Sequence, residues 1–288
     1  MNPLVIEDAP AARLSPAFPR GSRSPGRRWH VTPRDGAPLE AWVRTPGSGE
    51  RRRGTWIAVH GISRDAEEQF AAWESFTRER GLVLVAPRFS SVDFPGYQRL
   101  ARGSGPRSAT SDQALLRLRV WLENRGIELP RPFHLFGHSG GAQFAHRFAS
   151  RYPGDVQSVC LSAAGWYTQP DPQRSFPEGL HDPDFGPARG RLRAWLGIPT
   201  LVTVGSLDRE RDDSLRRNPE LDAEQGADRV TRARRWVEAC RSRAAALACP
   251  FRFEFRELPG AGHAFRECHD AGLAAEVARF IDAPRADA

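Results

Sequence analysis

Apolar residues follow two rhythms along this chain. Short, nearly unbroken apolar runs lie at 55–59 (TWIAV), 82–86 (LVLVA), 133–136 (FHLF), 156–163 and 200–204 (TLVTV), most of them ending at Gly, Pro or His. Runs this short and continuous read as strands buried on both faces. Between them the spacing turns helical. Phe70, Trp73 and Phe76 share one face of a helix over 67–80, and a helix over 111–125 is capped at Thr110 or Ser111. Further helices are predicted from 140 onwards (GAQFAHRFASRY follows), over 227–248 and over 268–281. Runs at 28–32 and 39–44 flank the turn Pro33-Arg34-Asp35-Gly36 and read as a hairpin, and 251–258 alternates as a last strand. Pro87 is expected to stop the strand 82–86. Segment 88–111 is a long loop, and 169–199 is irregular with a short helix around 189–196. Buried strands separated by helices predict an α/β fold, a mostly parallel sheet of about eight strands with helices on both faces. Residues 1–27, rich in Pro, Arg, Ser and Ala, read as a flexible arm, and 28–288 as a single domain with a loop or lid insertion near 168–199.

Composition changes this picture little. A chain of 288 residues suits one large α/β domain. The formal net charge is +7, and all 42 basic residues are arginine. They are interleaved with acids, as in Arg209-Glu210-Arg211-Asp212, and the two clusters, Arg27-Arg28 and Arg51-Arg52-Arg53, adjoin turns. This pattern argues against nucleic-acid binding. No run is long and apolar enough for a membrane span. The first twenty residues lack an apolar core and carry Glu7 and Asp8, unlike a secretory signal, so a cytoplasmic location is expected. Cys160, Cys240, Cys249 and Cys268 form no C-x-x-C or Cys/His cluster, so no metal and no cofactor are expected. Cys160 reads as a core residue; nothing in the pattern supports a Cys240–Cys249 bridge, and free thiols are expected.

The chemistry centres on Gly137-His138-Ser139-Gly140-Gly141, where the strand 133–136 hands over to a helix. This is the G-x-S-x-G arrangement that lifts a serine to the mouth of a sheet. A serine hydroxyl needs a base within hydrogen-bond reach, and the base needs an orienting acid. Strand TLVTV runs into Gly205-Ser206-Leu207-Asp208, and the last strand runs into Pro259-Gly260-Ala261-Gly262-His263. Asp208 is the candidate acid, with Asp212 and Asp213 as alternatives, and His263 is the candidate base. His269, its rival, falls in the last helix. His138 is expected to face away, and His134, His146 and His181 lie in a strand, a helix and the insertion. The oxyanion of acyl transfer needs backbone donors. Gly140 N–H opens the helix after the serine, and Ile62 N–H lies in the turn His60-Gly61-Ile62-Ser63 after TWIAV.

These motifs resemble those of the α/β-hydrolase superfamily. HGIS is similar to its oxyanion turn, GHSGG to its elbow, GSLD to its acid turn and GAGHAF to its histidine loop. The resemblance runs from about Trp29 to the C-terminus. It implies the α/β-hydrolase fold, Ser139, Asp208 and His263 as the triad, and Ile62 and Gly140 as donors. The stretches HGISRDAEEQF and APRFSSVDFPGYQRL resemble the esterase branch that includes polyhydroxyalkanoate-depolymerase-like and dienelactone-hydrolase-like proteins. Dienelactone hydrolases carry a cysteine nucleophile where this chain has Ser139.

The loops beside these motifs are aromatic. Phe89, Phe94 and Tyr97 lie in one, and Trp166, Tyr167, Phe176 and Phe185 in or near the insertion. Phe94, Tyr97, Trp166 and Tyr167 are the substrate-binding candidates. They suit an apolar acyl or aryl group, or else pack their loops onto the sheet. Arg88, Arg99 and Arg102 offer a carboxylate partner. The expected activity is hydrolysis of a small or medium carboxylic ester through an acyl-enzyme. Transfer to another acceptor, peptidase or perhydrolase chemistry, and ligand binding without catalysis are the alternatives. The pattern specifies no oligomeric state.

Overall fold

The computed structural model describes residues 28–31, 39–47, 52–101, 103, 109–186 and 188–284. The expected N-terminal arm, the turn at 33–36 and Arg102 lie outside them. Among the described residues eight strands and eight α-helices follow in the predicted alternation, and the chain divides into two compact units. One comprises Met1–Ala58 and Arg64–Pro130, the other Val59–Ser63 and Arg131–Ala288.

In the first unit the strands are β1 (Arg28–Val31), β2 (Glu40–Arg44), β3 (Gly54–Val59, whose last residue belongs to the second unit) and β4 (Leu82–Arg88). Their order is β1-β2-β4-β3. β1 and β2 are antiparallel, as are β2 and β4, whereas β3 and β4 run parallel. Pro87 does not stop β4: Ala41 pairs with Pro87 and Glu40 with Arg88. The parallel ladder to β3 ends at Val85, so Pro87 sits beyond it, where a strand tolerates a missing N–H. Helix α1 (Ala66–Glu79) starts where Asp65 accepts a hydrogen bond from Glu68 N at 2.8 Å. Its predicted apolar face is buried. Trp73 and Phe76 pack on Trp56 of β3 with ring centroids 5.0 and 4.9 Å away, and Phe70 lies 6.0 Å from Trp42. Helix α2 (Ser111–Glu123) has Thr110 at its N-cap.

The second unit holds β5 (Phe133–His138), β6 (Val156–Ser162), β7 (Thr200–Gly205) and β8 (Phe253–Leu258), all parallel and adjacent in chain order. Helix α3 (Gly140–Arg151) packs on β5 and β6, and α6 (Arg229–Ala246) on β7 and β8. Helix α4 (Ala188–Leu196) rests against α3 and α6. Two features of this unit depart from the sequence expectation. A short helix, α5 (Pro219–Gln225), precedes α6, with Asn218 capping it and Pro219 at its first position. The closing helix is two, α7 (Phe265–Asp270) and α8 (Leu273–Asp282), because Gly272 adopts φ +93° between them. All four cysteines are free, Cys240 and Cys249 included.

The irregular segment after β6 is pinned through Thr168. Its N–H donates to His146 Nε2 at 3.0 Å, and its carbonyl accepts from Trp236 Nε1 at 2.8 Å. Its hydroxyl accepts from Arg147 Nε at 2.9 Å and donates to Pro177 O at 2.7 Å. Gln225 closes a pair of bonds with the Tyr167 backbone, at 3.0 and 2.8 Å. No helix among the described residues is long and apolar enough to cross a membrane.

The tryptophan cluster of the first unit yields a stability prediction. Trp73→Ala is expected to cost about 3–5 kcal/mol, the range for a fully buried large aromatic, read as a lowered urea midpoint at unchanged m-value. A loss under about 1 kcal/mol would mean that this cluster contributes little.

Candidate active site

Every predicted backbone and side-chain element of the serine chemistry lies in the second unit, because Val59–Ser63 belongs to it. Ser139 stands between β5 and α3 at φ +52°, ψ −112°. A non-glycine residue in that region is strained, and the surroundings must hold it there. Two glycines make this possible. A Cβ at Gly137 would sit 2.1 Å from Gly141 O, and one at Gly141 would sit 2.2 Å from Val59 O and 2.6 Å from His60 O. Only hydrogen fits at either position. The same contacts bring the HGIS turn to the serine: a Cβ at Gly61 would lie 3.5 Å from Ser139 Cβ. Ile62, next in that turn, is half-exposed at 51%. Gly140 is the first residue of α3, so its N–H is one of the helix's orphan donors.

The partners come from the ends of β7 and β8. Ser139 Oγ lies 3.1 Å from His263 Nε2, and His263 Nδ1 lies 2.8 Å from Asp208 Oδ2. The Asp208 carboxylate accepts, so Nδ1 carries the proton and Nε2 accepts from the serine hydroxyl. The two loops are pressed together at another glycine. A Cβ at Gly205 would lie 2.2 Å from Gly262 O and 2.3 Å from Ala261 O. Gly262 N donates to Glu267 Oε2 at 3.0 Å, and Leu207 N donates to Ala261 O at 2.9 Å, which fixes the histidine loop on both sides.

Asp208 is 3% exposed, and its second oxygen accepts from Arg229 Nη1 at 3.0 Å. Arg229, itself 1% exposed, also donates to both oxygens of Asp212, at 2.8 and 3.1 Å, and to Ser214 Oγ at 2.6 Å. Asp212, an alternative acid, is thus engaged by the arginine, whose hydrogen bonds hold its carboxyl well below the usual carboxylate range. Asp213, the other alternative, is exposed and pairs with Arg217. Two buried arginines were not singled out by the sequence reading: Arg229 and Arg232. The only sequence signal was an arginine pair, Arg229 and Arg232, one turn apart at the start of a helix. Arg232 donates to the carbonyls of Gly226, Gly165 and Arg216 and to Asp222.

His138 does not face away. Its ring centroid is 5.5 Å from that of His263, its Nδ1 is 3.1 Å from Ser162 Oγ, and it is almost fully buried. The elbow geometry was expected to turn it away, but the loop after β8 carries His263 alongside it. Burial first, then the neighbouring His263 and Arg229, push its pKa down to about 3. Burial likewise pushes the Cys268 thiol, which contacts Gly262 O, up to about 12. Among the described residues, no group of three or more His, Cys, Asp or Glu side chains is arranged to hold a metal ion.

The aromatic candidates take up the packing role that the sequence left open beside substrate binding. Trp166 and Tyr167 are buried: Tyr167 stacks on Trp236 at 4.4 Å, and Trp166 lies under Arg147 and Arg216, at 4.1 and 4.8 Å. Phe94 and Tyr97, in the first unit, are buried against Phe89, with Tyr97 stacked on it at 5.2 Å. All four use their faces for packing, because a large ring in an irregular loop is the apolar surface available to seat that loop.

No family model matches the chain. Its structure is similar to that of LpqC, a poly(3-hydroxybutyrate) depolymerase from Bordetella parapertussis, with a TM-score of 0.73 and 27% identity over 90% of this chain and 94% of that one. The chain has the α/β-hydrolase fold. Poly(aspartic acid) hydrolase-1 from Sphingomonas sp. KT-1 shares the fold, with a TM-score of 0.73 and 24% identity over 88% of this chain and 98% of that chain. A sequence relative is the human monoacylglycerol lipase ABHD6, 30% identical over 105 residues; the match spans 36% of this chain and 28% of that protein.

His138 gives a pH prediction. Its proton affinity in the fold lies near pH 3, below the ordinary value of 6.5. Below about pH 6.5 the unfolded chain takes up a proton there and the native chain does not, so stability falls as pH drops towards 3. One such group contributes a slope of at most ~1.4 kcal/mol per pH unit. His138→Gln is expected to flatten the fall in urea stability between about pH 6 and 4. An unchanged slope would count against a neutral, buried His138.

Proposed function

We propose that this α/β hydrolase cleaves carboxylic esters through an acyl-enzyme on Ser139, with His263 as general base and acid and Asp208 as the orienting acid. One observation carries the reading: the unbroken hydrogen-bond chain from Ser139 Oγ through the His263 ring to Asp208, at 3.1 and 2.8 Å, built on a serine at positive φ. LpqC, described as a poly(3-hydroxybutyrate) depolymerase, supports an ester as the bond cleaved.

The geometry translates directly into steps. Ser139 gives its proton to His263 Nε2 as Oγ attacks the ester carbonyl. Asp208 stabilises the imidazolium through Nδ1. The oxyanion meets the N–H groups of Ile62 and Gly140, each worth about 3 kcal/mol of barrier. His263 then protonates the leaving alcohol, and water enters by the same route in reverse. His138, held neutral beside His263, adds no charge that would compete with the imidazolium. Four free thiols suit a reducing compartment such as the cytoplasm.

The test is hydrolysis of p-nitrophenyl esters from acetate to dodecanoate. Ser139→Ala and His263→Ala should each lower kcat by a factor on the order of 10⁴ or more, with KM little changed. Equal rates in wild type and Ser139→Ala would end the assignment of Ser139 as nucleophile.

A further inference from the structure

We propose that Arg229 and Asp212 are positioning residues of this site: Arg229 locks Asp208 onto His263, and Asp212 balances the Arg229 charge so that Asp208 keeps its pull on the imidazole. The proposal rests on the reading of Ser139, His263 and Asp208 as the catalytic set.

The two Asp208 oxygens have separate tasks. Oδ2 accepts from His263 Nδ1 and Oδ1 from Arg229 Nη1, so the carboxylate cannot rotate without breaking a bond on one side. An arginine alone would also be a drawback. Asp208 and Arg229 by themselves sum to zero, and a neutralised acid offers little to the imidazolium that forms when Ser139 gives up its proton. Asp212 removes that drawback. It accepts from both Nη1 and Nη2 of the same guanidinium, with Ser214 Oγ as a further acceptor. Two carboxylates then share one cation, and the buried group keeps one net negative charge facing His263. The planar fork of arginine holds Asp208, Asp212 and Ser214 from two nitrogens in one fixed geometry, which the single nitrogen of a lysine reproduces only in part.

The helix gives no other reason for a charge at this position. Arg229 is the first residue of α6, capped by Asp228, and a cation there opposes the helix dipole. The other groups around His263 and Asp208 do not supply the missing charge. His138 beside His263 is neutral, and burial keeps the Tyr167 phenol and the Cys268 thiol, both within the field of Asp208, protonated. Glu267 is turned to Gly262 N.

The experiment measures the rate of Ser139 phosphonylation by a fluorophosphonate probe against pH, alongside ester turnover, in wild type, Asp212→Asn, Arg229→Met and Arg229→Lys. Asp212→Asn leaves the arginine cation less balanced, disfavours protonated His263, and should move the acidic limb down by roughly half to one pH unit. Arg229→Met removes the cation and should move the limb up by a similar amount while lowering the plateau rate; Arg229→Lys should restore part of that plateau. If Arg229→Met does not fold, the Asp212→Asn shift and the Arg229→Lys rate decide. An unmoved limb in Asp212→Asn, or limbs moving the same way in Asp212→Asn and Arg229→Met, would overturn the proposal and leave the triad standing. No labelling of Ser139 in wild type would overturn the triad, and this proposal with it.

Discussion

The close approach of backbone to backbone around Ser139 is the constraint on which the rest of the site depends. Gly141 brings α3 to within contact of the Val59 and His60 carbonyls, and Gly137 lets the chain fold back on Gly141. Side chains at either position would push the helix away from the end of β3 and relax the serine towards an ordinary conformation. The strain at φ +52° is therefore held by packing, not by any one bond. Once the turn is closed, the HGIS turn has nowhere to lie except beside Ser139. Ile62, Gly140 and Ser139 are thus positioned by one and the same event.

A second constraint follows from burying the acid. A carboxylate as enclosed as Asp208 needs every lone pair answered, and its loop must be fixed in register with the histidine loop. Gly205 handles the register by allowing the Ala261 and Gly262 carbonyls to touch it. Arg229 answers the oxygen that His263 leaves free. The neighbouring turn of α6 repeats the device. Arg232 collects three loop carbonyls and Asp222, tying the segments around Gly165 and Arg216 to the same helix. Helix α6 thus frames the site: Arg229 reaches Asp208, and Arg232, one turn on, ties down the neighbouring loops.

How much of this could be read from the sequence depends on how local each cause is. The elbow, the GSLD turn and the GAGH loop are contiguous, and their glycines announce the tight contacts, so Ser139, Asp208 and His263 could be named from the pattern. The alternation of buried strands and helices gave the order of elements for the same reason. Arg229 could not be named, since its partners stand 21 and 17 residues away and the chain has 42 arginines from which to choose. His138 was misjudged because the elbow geometry says where a side chain starts, not which loop later lies alongside it. Pro87 failed as a strand stop because its harmlessness depends on where the ladder to β3 ends, a matter of register between strands. The break between α7 and α8 was carried by Gly272 alone, inside an otherwise helical spacing.

The aromatic residues of the insertion show the same difference from the other side. Trp166, Tyr167, Phe176 and Phe185 stand in a segment rich in proline and glycine, which suggests surface free for a substrate. The segment is instead fastened by polar bonds at Thr168 and by the Gln225 pair on Tyr167. Those bonds satisfy backbone groups that burial would otherwise leave unpaired. With the backbone tied down, the rings have fixed seats: Tyr167 on Trp236, Trp166 between two guanidinium groups, and Phe176 and Phe185 under Arg151. In a chain whose cations are all arginine, the planar faces that stack on aromatic rings are abundant. The rings of this segment and the arginines of α3 and of the stretch after β7 therefore belong to one device, which seats an irregular loop.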